Sequence, residues 1–328
     1  MNWRHISSHE HRFREDIISL QQLNQQIIMK EQNKFNVSFY KVDEDDVMPF
    51  VEIKFKGKDG KTCSALMLMD SGSNVNALST EMRSFIDEND WLPDESEKVV
   101  SLDNEEIEHP CAKFQFEMRG YIFNEKCLVF NNLHVMQIGD RMFIGIIGTR
   151  FMQKYHLAID FRKMSVHTSD MTMEDLHKQG GDFIIPMEYG FKHYNGPILK
   201  LRGDKRDAIA FLDTGSDGLT VSQTAIEECG LTYKITSDVQ SVLGGNGNVD
   251  AKECILNFRI ADHLGNDIDN TYYKEEAIIV PHSFDVLEDG ECDDEGKLLS
   301  PLEGMIGTPF IAKQKWILDF TAKAIYKL

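Results

Sequence analysis

The phrase Asp-(Ser/Thr)-Gly-Ser occurs twice in this chain, each time where an apolar run ends. The first occurrence is "LMLMDSGSNVNALS", centred on Asp70, and the second is "IAFLDTGSDGLTVS", centred on Asp213. An aspartate at the tip of a strand bound for the interior is an expensive way to turn a chain, because a carboxylate is costly to bury without a partner. An Asp-Gly turn would do the job without that cost. Two such sites in one chain raise the possibility that each aspartate is the other's partner, and that reading requires the surroundings to repeat as well.

They do repeat. "GIIGTRFMQKYHLAIDF" (Gly145 to Phe161) aligns without gaps on "GMIGTPFIAKQKWILDF" (Gly304 to Phe320), with eight of the seventeen positions identical, which makes duplication the economical explanation. Upstream the match is one of pattern: "PFVEIKFKGKDGKTCSALMLMD" and "PILKLRGDKRDAIAFLD" each give a strand, a charged Gly-containing turn and a second strand ending at the aspartate, a hairpin signal. The second half is longer between its landmarks, and the acidic stretch from Asp285 to Gly296 accounts for much of the excess. Its spacing does not fit a calcium-binding loop, so it reads as a solvated insertion.

Each half therefore reads as a hairpin, the Asp-(Ser/Thr)-Gly-Ser turn, a short helix, a further hairpin, a strand, Gly-x-Ile-Gly, a short helix and a last strand. Thr149 and Thr308 are placed to cap the last helix of each half, and Pro309 suits a first turn. The polar, Gly-Gly-ending segment 166–182 is the predicted linker between an N-terminal lobe at 36–165 and a C-terminal lobe at 183–328. Residues 1–35 have no counterpart in the second half. Ile17, Leu20, Leu23, Ile27 and Ile28 give them the apolar face of a helix, which suits docking or self-association. That segment is near neutral in a chain of net charge −19 and carries His5, His9 and His11, so a pH-sensitive inhibitory contact over an acidic cleft is a second reading.

If the two lobes pack about a pseudo-twofold axis, Asp70 and Asp213 meet on it. Two carboxyls at hydrogen-bond distance share one proton, and the titration then belongs to the pair. Such a pair can hold a water, deprotonate it with one member and protonate a peptide carbonyl with the other, which is general acid–base hydrolysis without a cofactor. On this reading Gly72 and Gly215 let backbone amides approach the carboxyls, Ser71 and Thr214 bond across the axis, and the hydroxyls of Ser73 and Ser216 donate to the outer carboxylate oxygens, which lowers the pair's pKa.

The paired phrases, each followed by two hydrophobic residues and glycine (Ile146-Ile147-Gly148 and Met305-Ile306-Gly307), resemble the aspartic peptidases from about Pro49 to Leu328. The resemblance implies a mostly β fold of two pseudo-twofold-related acid-protease lobes, with Asp70 and Asp213 as catalytic dyad and β-hairpin flaps over an interlobe cleft. The candidate flaps are the hairpin around Leu102, Asp103 and Asn104, which lacks the tyrosine of pepsin-like enzymes, and the Gly-rich hairpin around Leu243, Gly244, Gly245, Asn246 and Gly247, which is more similar to a retropepsin flap. The whole resembles a tandem of retropepsin-like β-barrels fused in one chain, with short helices and an N-terminal helix, competent as a monomer. A catalytically silent or latent peptide-binding protein of the same fold stays open as the alternative.

Composition narrows the partners. At 41% hydrophobic and 27% charged residues the chain is of globular kind, and a net charge of −19 disfavours nucleic acid or an anionic membrane face and favours neutral or basic peptide. No apolar run reaches membrane-spanning length and the N-terminus lacks the apolar core of a signal peptide, so the expectation is a cytoplasmic protein whose six scattered cysteines are reduced structural thiols. No metal site is expected: "SHEH" (Ser8 to His11) reads as an exposed polar segment. "RGD" (Arg202 to Asp204) reads as a hairpin turn, Asp160 and Asp319 as structural carboxylates bonded within each lobe, and Trp3, Trp91 and Trp316 as packing residues.

Overall fold

The computed structural model describes residues 35–100, 106–179, 183–187, 197–237, 240–244, 247–262, 265–268, 271–281 and 302–327. The expectations placed on 1–34, on "SHEH", on Trp3 and on the acidic stretch 285–296 lie outside these residues.

Each half folds around an eight-stranded sheet. Alternation drives the outer strands: in Phe50–Lys56 every second side chain is buried, and the hairpin partner Thr62–Met69 becomes buried throughout as it runs inward. The second half builds the same unit from Ile198–Arg202 and Asp207–Asp213, and "RGD" falls at the end of the first strand and the start of its turn. The aspartate-bearing strand then pairs in parallel with the strand carrying the hydrophobic-hydrophobic-Gly phrase: Thr62–Met69 with Arg141–Ile147, and Asp207–Asp213 with Leu302–Gly307.

Both parallel pairs shift register at the same place. The irregularity lies between Leu66 and Met67 in one half and between Ile209 and Ala210 in the other, and Leu66 and Ile209 each stand four residues before the aspartate. The duplication therefore extends to a local defect in a region where the two sequences agree only in pattern.

A third sheet joins the halves. Its six strands run in the order Asn36–Ser38, Ser165–Thr168, Leu157–Asp160, Ile317–Asp319, Ala324–Tyr326 and Ile184–Pro186. At its centre Ala158 faces Asp319, Ile159 faces Leu318 and Asp160 faces Ile317. Ile159 and Leu318 are equivalent positions of the duplication, so the pseudo-twofold axis passes between them. The predicted linker segment is ordered where described. It opens with a strand of this sheet and continues into the helix Met173–Lys178, started by a capping box in which Thr172 and Asp175 bond each other's backbone amides.

Two expectations are corrected. Thr149 and Thr308 do not cap their helices, Thr149–Lys154 and Thr308–Lys313. The N-cap residues are Gly148 and Gly307, without side-chain capping bonds, and each threonine is the first helical residue. Glycine is required there because a Cβ would lie 2.4 Å from the Val75 carbonyl oxygen at 148 and 2.2 Å from that of Gly218 at 307. The buried carboxylates Asp160 and Asp319 do close local turns, accepting from the amides of Arg162 and Lys163 and of Thr321 and Ala322. Asp319 is not confined to its own lobe, however, because it also accepts from the Ser169 hydroxyl at 2.5 Å.

Trp316 is fully buried against Phe183 and Phe310, while Trp91 lies under the Arg83 guanidinium. Cys63, Cys111, Cys127, Cys229 and Cys254 carry free thiols, and Cys292 lies outside the described residues. Among the described residues no helix is long and apolar enough to cross a membrane.

Candidate active site

The two Asp-(Ser/Thr)-Gly-Ser turns meet. Asp70 follows the last residue of its strand and is pinned by its amide, which donates to the Ile147 carbonyl at 2.9 Å. Asp213 ends its own strand in register with Gly307. A Cβ added at Gly72 would lie 2.5 Å from Cγ of Asp213, and one added at Gly215 would lie 2.8 Å from Cγ of Asp70. Each glycine therefore stands against the other half's carboxyl, and the two carboxyls hydrogen-bond to one another.

Behind the pair the loops interlock. Ser71 Oγ donates to the Leu212 carbonyl at 2.8 Å and accepts from the Thr214 amide at 3.0 Å. Thr214 Oγ1 donates to the Met69 carbonyl at 2.6 Å and accepts from the Ser71 amide at 2.8 Å. Both side chains are fully buried, so all four bonds operate away from water, where losing one is costly.

The amides in front aim at the carboxyls. Gly72 N–H donates to Asp70 Oδ1 and Gly215 N–H to Asp213 Oδ1, both at 2.8 Å. The amides of Gly72 and Ser216 near Asp213, and that of Ser73 near Asp70, also favour the charged form of each carboxyl. Burial pushes Asp70 well above the usual carboxylate range, and the neighbouring charge of Asp213 and the hydrogen bond to it push the same way. Asp213 is raised by burial too, against the opposing effect of the hydrogen bond from Asp70 and of three amides. Burial thus keeps one proton on the pair, and the titration belongs to the two carboxyls together.

The hydroxyls of Ser73 and Ser216 do not play the part expected of them. Ser73 Oγ donates to the Val75 carbonyl at 3.0 Å and accepts from the Val75 amide, and Ser216 Oγ does the same with Gly218 at 3.2 and 3.3 Å. A hydroxyl has one proton to give, and here it closes a local turn. What the two residues lend the carboxyls is the nearby dipole of their backbone amides, which favours the charged form. The candidate flap hairpins both exist as strand pairs. Trp91–Val100 pairs with Glu106–Met118, but Leu102, Asp103 and Asn104 at its tip lie outside the described residues. Gln240–Gly244, which holds Leu243 and Gly244, pairs with Gly247–Ala261, and Gly244 faces Gly247 across a tip whose residues Gly245 and Asn246 also lie outside.

Sequence reasoning missed several residues. Asn76 is buried and its Oδ1 accepts from the Gly148 amide at 3.1 Å, tying the first turn to the second landmark of its half. Leu68 and Phe211, two residues before each aspartate, share its strand face by the period of two. Leu68 pairs with Ile146 and Phe211 with Met305, giving an apolar surface on the dyad side of each sheet, separate from the main core. Strand alternation counted back from each aspartate would have found Leu68 and Phe211.

No family model matches the chain, and no curated protein does. Among solved structures it is similar to an aspartic proteinase from Irpex lacteus, with 90% of this chain and 96% of that chain covered at 11% identity and a TM-score of 0.47.

Proposed function

We propose that the chain is an aspartic endopeptidase that hydrolyses peptide bonds through the Asp70–Asp213 pair. The observation that carries this reading is the reciprocal arrangement of the two turns: equivalent carboxyls in hydrogen-bond contact, each supplied with backbone amides and each backed by the other half's hydroxyl. A structural turn has no use for that construction.

The chemistry follows from one proton shared by two carboxyls, written here with that proton on Asp70. Ionised Asp213 takes a proton from a water held at the pair as the water oxygen attacks the peptide carbonyl carbon, and Asp70 gives its proton to the carbonyl oxygen, forming a neutral gem-diol. Asp70 then reclaims a proton from one diol hydroxyl while Asp213 delivers its own to the amide nitrogen. The C–N bond breaks to give an acid and an amine, and the pair again holds one proton. The apolar residues beside the dyad, Leu68 and Ile146 in one half and Phe211 and Met305 in the other, favour apolar side chains on either side of the scissile bond. The candidate hairpins would add strand-like pairing along an extended peptide.

Incubating the full chain with a diverse peptide mixture from about pH 3 to 8 and reading new termini by mass spectrometry tests the proposal. Cleavage between apolar residues, persisting above the ordinary carboxylate pKa of about 4, is expected. Intact peptides at every pH from folded protein would instead favour a peptide-binding protein without turnover.

A further inference from the structure

Thr308 stands outside the Asp-(Ser/Thr)-Gly-Ser phrase, yet its hydroxyl acts on the phrase's central peptide group. It is fully buried, and its backbone amide already anchors the helix Thr308–Lys313 to the second turn by donating to the Ser216 carbonyl at 2.8 Å. The hydroxyl is therefore free of both anchoring and capping. It donates to the Thr214 carbonyl at 2.8 Å. That carbonyl and the Gly215 N–H belong to one peptide group, and the Gly215 N–H is the donor to Asp213 Oδ1 at 2.8 Å. The bonds thus form a line from Thr308 Oγ1 through the Thr214–Gly215 peptide group to Asp213. A peptide whose oxygen accepts a hydrogen bond becomes a better donor at its nitrogen, and such chains polarise one another.

We propose that Thr308 is a positioning residue of the dyad: through the Thr214–Gly215 peptide group its hydroxyl strengthens the hydrogen bond that the Gly215 amide gives to Asp213 Oδ1, and so favours ionisation of the pair. Its catalytic consequence rests on the dyad reading above, whereas the titration it governs is a property of the folded chain whether or not peptides are cut. Removing the hydroxyl leaves the ionised form of the pair less well held, so the first ionisation of the pair moves to higher pH and the acid side of any activity profile moves with it.

The test is a carboxyl-carbon NMR titration of the full-length chain with labelled aspartate, the pair's resonances being assigned through Asp70→Asn and Asp213→Asn. Thr308→Val keeps the shape and deletes the hydroxyl; Thr308→Ser restores it. A cooperative strengthening of about 10–30% on a bond to a charged group corresponds to roughly 0.1–0.7 pH unit. The expected result is a rise of that size in the lower ionisation of Thr308→Val, an upfield move of the Gly215 amide proton, and a return toward the wild-type values in Thr308→Ser. Should the valine prove too poor a fit to fold, Thr308→Ala makes the same deletion with less bulk. An unchanged lower ionisation in a folded hydroxyl-free variant, or a serine variant displaced as far as the valine, would overturn the proposal. No substrate is involved, so a chain that fails to cut peptides counts against the endopeptidase reading and leaves this result to stand or fall alone.

Discussion

Ser71 and Thr214 exchange hydrogen bonds across the two halves of the chain: each hydroxyl accepts the other residue's amide and donates to the carbonyl two residues before that residue. Neither half can complete this arrangement alone, and it fixes the aspartate before each residue against its counterpart.

Cutting either hydroxyl leaves a buried amide and a buried carbonyl without their partner, a cost of about 1–3 kcal/mol per unsatisfied group. Ser71→Ala and Thr214→Val should each lower the unfolding free energy by an amount of that order. The two hydroxyls lock the same pair of loops to each other, so the double variant should lose clearly less than the sum. Denaturant unfolding of the four proteins checks this, and strict additivity would mean that the grip is not a unit.

Gly72 and Gly215 face the opposite carboxyl at distances no Cβ tolerates. Alanine at either position must displace a carboxyl or the loop, at about 1–3 kcal/mol for overpacking. The dyad geometry should suffer more than the fold. Peptide turnover should fall by at least about a hundredfold, on the scale that a misplacement of ~1 Å costs a catalytic group, while circular dichroism retains the β spectrum.

The raised Asp70 carboxyl makes stability depend on pH. In the unfolded chain it titrates near the ordinary value of about 3.9, so above that pH the folded chain holds a proton that the unfolded chain has released. The stability associated with the shared proton is complete below about pH 4 and is lost as pH rises through the raised folded value. Asp70→Asn is neutral throughout. Its stability relative to wild type should therefore climb across that window, as read from unfolding midpoints at a series of pH values. A difference that stays flat from about pH 3.5 to 8 would contradict the shift.

Glu303 is fully buried beside the dyad strand, and both of its oxygens are held by Arg206 at 2.7 Å. The equivalent position in the first half is Ile144, also buried. Removing Arg206 alone, as Arg206→Met, leaves an uncompensated buried charge, so the loss should fall toward the lower end of about 3–5 kcal/mol because Arg206 is partly exposed. Adding Glu303→Ile should recover most of it, since the first half shows that an apolar residue fits there. Thermal melts of the two variants decide.

Much of this was legible because the chain is written twice. The repeated phrases and the gapless match after Gly145 and Gly304 locate the aspartates, the strands that lead into them and the short helices without any three-dimensional information. What escaped is where two local bonds compete. Nothing in the sequence says that Ser73 and Ser216 spend their hydroxyls on the backbone two residues on, or that a glycine forced by close contact takes the N-cap and leaves the threonine inside the helix. The joining sheet was hidden for another reason: Asn36–Ser38 pairs with Ser165–Thr168, and no local pattern specifies a partner so far along the chain.

The most direct test of the central claim is the turnover of one cleaved peptide by Asp70→Asn, Asp213→Asn and the double variant, each shown to be folded. If the two carboxyls act as one group sharing a proton, either substitution alone abolishes cleavage and the double variant is no worse than the singles. Substantial turnover surviving either single substitution would contradict the account.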